Sequence, residues 1–139
     1  MHEQSPRRVS RAALVRARDF ICDHLDEPIS LDALAHEAGV SRFVFLRRFA
    51  GTFGMTPHAY IVHQRMARAQ ELLVRDDRSV TDVCFDVGFS SVGSFSTLFT
   101  RRFGDSPLRF RQRSRQLVLV PGWVVDRRVP LCFMARTAF

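Results

Sequence analysis

Lysine is missing from this sequence, and all 21 of its basic residues are arginine. Arginine is the better bidentate donor to phosphate and to guanine. The same bias follows from a GC-rich genome, so on its own it assigns nothing. Cysteine is scarce: Cys22, Cys84 and Cys132 form neither a C-x-x-C pair nor a Cys/His cluster, which argues against a disulfide framework and against a zinc site. A reducing cytoplasm is the compartment expected. The histidines, at positions 2, 24, 36, 58 and 63, show no ligand spacing, so no metal or other cofactor is expected. No Ser/His/Asp or paired-carboxylate arrangement stands out, and the chain does not read as an enzyme. No apolar stretch approaches the roughly 20 residues of a membrane span. The opening Met1-His2-Glu3-Gln4-Ser5-Pro6-Arg7-Arg8 lacks the apolar run of a signal peptide.

What is present is positive charge on a chain able to fold. The 139 residues carry a formal net charge of +7, and 46% of them are hydrophobic. That length suits one ordinary domain or two small, closely packed subdomains. A strongly basic balance favours a polyanionic partner, because each neutralised phosphate releases condensed counterions. Nucleic acid comes first, ahead of an anionic membrane.

The apolar spacing predicts helices. Leu14, Ala17, Ile21 and Leu25 recur every three or four residues behind a Ser10 cap, and Asp26-Glu27-Pro28 closes that helix. Ser30 caps a short helix through His36, Gly39 breaks it, and Ser41 caps another to about Phe53. Thr56-Pro57 opens a longer helix through Tyr60, Met66, Ala69, Leu72 and Leu73, ending at Asp76-Asp77. Then the pattern returns: Ser79 and Asp82 have capping-box spacing, Gly88 supplies a turn, Ser90 or Ser91 caps the next helix, and Ser106-Pro107 opens another.

The two halves superimpose. Leu31, Leu34, Ala35, Gly39 and Ser41 match Val80, Val83, Cys84, Gly88 and Ser90 at a shift of 49. After one inserted residue, Phe45, Phe49, Phe53, Gly54, Pro57 and Tyr60 match Phe95, Phe99, Phe103, Gly104, Pro107 and Phe110 at a shift of 50. This is an internal duplication. Each copy has the makings of a helix-turn-helix, in which two short helices cross steeply. That crossing demands a small residue, here Ala35 or Cys84, and a turn residue tolerant of positive φ, here Gly39 or Gly88.

On these residues the sequence resembles the DNA-binding domain of the AraC/XylS family of bacterial transcription regulators, over roughly residues 10 to 112. The first half contributes Ser30-Leu31, Leu34-Ala35, Gly39, Ser41, Phe49, Gly54, Pro57 and Tyr60; Arg65-Met66, Ala69 and Leu72-Leu73 resemble the family's linker helix. Most specific are Gly88-Phe89-Ser90, Phe95-Ser96, Phe99, Arg102-Phe103-Gly104, Pro107 and Phe110-Arg111. The resemblance implies an all-α domain of about seven helices, whose linker helix holds two recognition helices in successive major grooves on one DNA face. It also departs from the pattern. Members often carry a larger residue where Gly93 stands and a basic one where Thr97 and Thr100 stand. Many also carry an effector-binding or dimerising domain ahead of this one, for which the residues before Ser10 leave no room, so the chain reads as a short member or a fragment of a longer regulator.

The expected organisation is a flexible N-terminus over 1–9, a first helix-turn-helix subdomain over 10–57, a linker helix over 58–76, a second subdomain over 77–116 and an apolar tail over 117–139. In the tail, Pro121-Gly122 separates two β-rich runs, which predicts a small hairpin or irregular segment docked through Trp123, Leu131, Phe133 and Phe139. Met66, Ala69, Leu72 and Leu73 are expected to form one linker face packed against both subdomains.

The expected function is sequence-specific binding of double-stranded DNA by a transcription regulator. Two reading heads on one chain let a monomer occupy an asymmetric site. Helical facing puts Ser41, Arg42, Phe43, Leu46 and Arg47 on the outer face of the first recognition helix, about residues 41–53. Ser91, Val92, Gly93, Ser96, Thr97, Thr100 and Arg101 lie on that of the second, about residues 91–103. Arg111, with Arg109, Arg113 and Arg115, is a candidate for gripping the phosphate backbone. The short side chains of the second head predict phosphate contact there, and base reading mainly by the first. The alternative is an interaction module of the same fold that binds another regulator or RNA polymerase. The apolar pair Phe43 and Leu46 on an outer face keeps that reading open.

Overall fold

The computed structural model describes residues 9–117, with side chains through Arg115. The flexible N-terminus expected over residues 1–9 and the tail expected over 117–139 lie outside the described residues except for Val9 and for Leu117, which is the last residue of the final helix. Among the described residues seven helices follow one another: α1 (Arg11–Asp23), α2 (Leu31–Glu37), α3 (Arg42–Phe53), α4 (Pro57–Arg75), α5 (Val80–Asp86), α6 (Val92–Phe103) and α7 (Pro107–Leu117). Among the described residues there is no strand.

Each helix starts where its sequence supplies an acceptor for the otherwise orphaned N–H groups of the first turn. The Oγ atoms of Ser10, Ser30, Ser41, Ser79 and Ser91 accept from the N–H groups of Ala13, Ala33, Val44, Asp82 and Ser94 at 3.0–3.3 Å. α4 and α7 open on proline, with Thr56 Oγ1 and Ser106 Oγ as acceptors. A cap of this kind is worth about 1 kcal/mol. Ser79 and Asp82 close a complete capping box, as their spacing predicts. Of the two serines that could cap α6, Ser91 does so. The caps of α3 and α6 are therefore related by 50 residues, and the inserted residue of the second copy falls at Ser90, ahead of the cap.

The two turns are the same object built twice. Gly39 and Gly88 take φ of 70° and 91°, a region costly for any residue with a Cβ. Their N–H groups donate to the carbonyls of His36 and Phe85, both at 2.9 Å. The next residues, Val40 and Phe89, donate to the carbonyls of Ala35 and Cys84, both at 3.1 Å.

The chain divides into two units, Met1–His63 and Gln64–Phe139, and the division falls inside α4. In the first unit Leu14, Ala17, Ile21, Leu34, Ala35, Phe45, Phe49, Tyr60 and Ile61 form the buried core. In the second, Met66, Ala69, Leu73, Val83, Cys84, Val87, Phe95 and Phe99 do so. The expectation that one face of α4 serves both subdomains is corrected by this division. Met66, Ala69 and Leu73, with Leu72 half-buried beside them, all belong to the second core, while Tyr60 and Ile61 serve the first. Aromatic packing repeats as well. Phe49 meets Phe45, Phe53 and Tyr60 with ring centroids 4.6–5.7 Å apart, and Phe99 meets Phe95, Phe103 and Phe110 at 4.5–5.8 Å.

Candidate nucleic-acid interface

A recognition helix must pin one face to a rigid core and present the other, and α3 does both. Phe45 and Phe49 are fully buried, fixing the rotation of the helix about its axis. The opposite face then carries Phe43, 71% exposed, with Arg47 one turn further on and Leu46 half-buried between them. Solvating a phenylalanine to that degree leaves a large apolar surface in water. Arg47 is exposed, and among the described residues it takes part in no hydrogen bond or ion pair. Ser41 is occupied by its capping bond.

Arg42 is not free in the same way, since its Nη1 donates to Asp32 Oδ2 of α2 at 3.0 Å. Both partners are more than half exposed, so the pair contributes little to stability, about 0.2–1 kcal/mol. Its effect is to hold one cation of the outer face of α3 beside an acid. Asp32 and the exposed Arg48 were not singled out by helical facing. Asp32 becomes visible only once the angle between α2 and α3 is known, whereas Arg48 could have been found as the cation adjoining Arg47.

α6 repeats the anchoring through buried Phe95 and Phe99, with different chemistry outside. Val92 is half-buried against the second core and is not presented outward like its neighbours. Gly93 is exposed, and a Cβ built there would meet only Ser91 Oγ, at 3.8 Å. The Thr97 and Thr100 hydroxyls donate to the carbonyls of Gly93 and Ser96 at 2.9 and 2.8 Å. Those protons are therefore committed to the helix, which leaves the two oxygens to act only as acceptors. Ser96, Thr97, Thr100 and Arg101 together line a shallow open depression.

The arginines from the last turn of α6 onward fall into three groups. Arg101, Arg102 and Arg109 are exposed and make no ion pair among the described residues, although Arg102 leans over the Phe103 ring with its guanidinium carbon 5.9 Å from the centroid. Arg113 and Arg115 are paired with Asp105 and Asp77. Arg111 is half-buried and donates to two main-chain carbonyls, those of Leu73 and Arg78. The positive charge that gathers in the sequence over residues 101–115 is thus partly neutralised where it stands.

Elsewhere the second unit is quiet. Burial pushes the Cys84 thiol up from its ordinary value, which keeps it protonated as a core residue and not a reactive thiolate. The hydrogen bond to Asp86, reinforced by Asp76, holds the exposed Arg78 guanidinium further above its usual range. Among the described residues no cluster of His, Cys, Asp and Glu is disposed to hold a metal. Among the described residues, too, no helix is long and apolar enough to cross a membrane.

Comparison with known proteins agrees with this geometry. The family model described as a helix-turn-helix domain matches residues 34–113. The HTH-type transcriptional activator RhaS of Escherichia fergusonii is 39% identical over 90 residues, which is 65% of this chain. The chain spans only about a third, 32%, of the length of that relative. Among solved structures, the DNA-binding domain of the global transcriptional factor AdpA, crystallised with a target DNA, superimposes with a TM-score of 0.72 and 33% identity. The match covers 76% of this chain and 95% of that one. An AraC-type regulator from Chromobacterium violaceum gives a TM-score of 0.70 at 30% identity, covering 81% of this chain and 96% of the other.

Proposed function

The chain belongs to the AraC-type helix-turn-helix family of transcription regulators, and from that premise we propose that α3 and α6 each enter a major groove of double-stranded DNA and read a specific site. Successive major grooves on one face of B-DNA recur about every 34 Å, so a single chain with two heads addresses an asymmetric site as a monomer. The observation that carries this reading is the outer face of α3. Phe43 is 71% exposed one turn before an arginine that has no ion pair or hydrogen bond among the described residues, above two fully buried phenylalanines that hold the helix still.

The roles follow from reach. Arg47 is long enough to give guanine O6 and N7 two hydrogen bonds, and Phe43 and Leu46 offer apolar surface to thymine methyl groups. Arg42 and Ser41 lie where the backbone passes the start of α3. On α6, Gly93, Ser96, Thr97 and Thr100 are short, so that head grips mainly through Ser91, Arg101 and the close approach of its own backbone. AdpA, a structural relative, was crystallised as its DNA-binding domain with a target DNA, which supports the same partner here.

Selection of bound duplexes from a random pool, followed by a salt titration on the selected site, tests the proposal. The expected result is one recovered sequence and an affinity that falls linearly in log-log form as salt rises. A flat response between low and moderate salt would overturn it. The second reading, docking on another regulator or on RNA polymerase, is favoured by the exposure of Phe43 alone, and that flat response is the outcome it requires.

A further inference from the structure

Arg111 stands in a conspicuously basic stretch, yet its guanidinium is spent on the protein itself. Nε donates to the Leu73 carbonyl at 3.3 Å and Nη2 to the Arg78 carbonyl. Leu73 lies in the last turn of α4, where the final carbonyls have no helical partner. Arg78 lies in the segment between α4 and α5 and is itself tied to Asp76 and Asp86. One fork therefore joins the end of α4 to the start of the second helix-turn-helix. The preceding residue, Phe110, faces the other way into the second core, with its ring 5.4 Å from Phe99 and 6.0 Å from Phe103 of α6. One turn beyond, Arg115 reaches Asp77 and the Asp76 carbonyl.

The internal duplication supplies an independent observation. The counterpart of Arg111 at a shift of 50 is Ile61, which is 5% exposed in the first core. The counterpart of Arg78 at a shift of 49 is Ile29, packed against that same core. In both copies, then, this position faces into its own unit, with apolar contact in the first and a charged fork in the second. A residue that gripped phosphate would face the other way.

We infer that Arg111 is a positioning residue: it ties α7, which Phe110 packs against α6, to the end of α4 and the α4–α5 segment, and so sets the orientation of the second reading head without touching DNA. This rests on the DNA-reading function proposed above. The brace needs two divergent donors on one rigid plane, which a lysine does not have. Arg111→Lys therefore separates the fork from the charge, and Arg111→Ala removes both.

The test uses the full chain, below its melting temperature, with Arg101→Ala as the phosphate-contact control. Without DNA, hydrogen exchange of the amides over residues 76–80 should quicken in both Arg111 variants and in neither the wild type nor Arg101→Ala. On the selected duplex, both Arg111 variants should lose about tenfold in affinity, the effect of two hydrogen bonds, with the wild-type salt slope. Loss of backbone protection should be confined to the half of the site nearest the second head. Arg101→Ala should instead lower the slope by about one. Two results would overturn the inference: a lowered slope for Arg111→Ala that Arg111→Lys restores, or faster exchange with unchanged affinity and footprint. Failure of the wild type to bind DNA would count against the reading function alone, because the exchange arm stands without it.

Discussion

At equivalent turns of the two helices proposed to read DNA, α3 carries Phe43, Leu46 and Arg47 where α6 carries Gly93, Ser96 and Thr97. Beneath those residues the helices are nearly copies, with Phe45 and Phe49 repeated as Phe95 and Phe99, a serine cap before each and a left-handed glycine after each. The duplication has preserved what fixes a recognition helix in place and has let diverge what the helix presents. That is the pattern expected if two heads share one docking geometry and divide the work of reading. It makes the comparison breakable at two levels, the shared foundation and the divergent face.

The foundation should give the largest effects. Phe49→Ala and Phe99→Ala each remove a fully buried ring with three aromatic neighbours, and each should cost about 3–5 kcal/mol in denaturant unfolding. Near-equal losses would bear out the equivalence of the two cores. A difference of more than about 2 kcal/mol, beyond the usual spread for one chemistry, would show that they are not equivalent.

The divergent face comes next. Arg47→Ala should cost about 1–3 kcal/mol on the selected site and much less on random duplex, relaxing selectivity at one base pair. Its counterpart Thr97→Ala should change neither by as much, since that hydroxyl proton is already given to the Gly93 carbonyl. Equal losses on both duplexes for Arg47→Ala would mean that the first head, too, grips phosphate. Arg101→Ala is expected to act more weakly and without regard to sequence, lowering the salt slope by about one unit. Any sequence dependence there would return base reading to the second head.

How much of this was legible beforehand depends on the range of the interactions involved. Caps, turn glycines and buried phenylalanines are local or periodic signals, so Ser41, Gly39, Gly88, Phe45 and Phe95 declared their places from spacing alone. The outward faces of α3 and α6 followed from the same periodicity except at Val92, which packs half-buried against the second core. Three features did not. Arg111 donates to the Leu73 carbonyl, 38 residues away, and nothing in a run of arginines distinguishes one aimed at a carbonyl from one aimed at solvent. Asp32 reaches Arg42 only through the angle of the helix-turn-helix. That α4 serves both subdomains was legible, but its division was not: Tyr60 and Ile61 go to the first core and Met66, Ala69 and Leu73 to the second, along an apolar stripe that is continuous in the sequence.

The smallest effect separates stability from approach. Gly93 is the exposed second residue of α6, and a glycine in a helix costs up to about 0.5–1 kcal/mol relative to alanine through the backbone freedom it surrenders on folding. Its φ is not in the left-handed region, and the added methyl would meet only Ser91 Oγ at an ordinary contact distance. Gly93→Ala should therefore raise the stability of the free protein by a few tenths to about 1 kcal/mol. Its counterpart in the first head is Phe43, a side chain that projects from the helix, so at this one position the two helices differ in how near a backbone can come to a groove wall. If the second head compensates for short side chains by lying deeper, the same methyl that stabilises the helix will weaken DNA binding on every sequence tested. Melting and binding measured on one Gly93→Ala preparation should then move in opposite directions. Tighter or unchanged binding alongside the higher melting temperature would show that α6 stands off from the DNA, leaving Arg101 to make its contacts at arm's length.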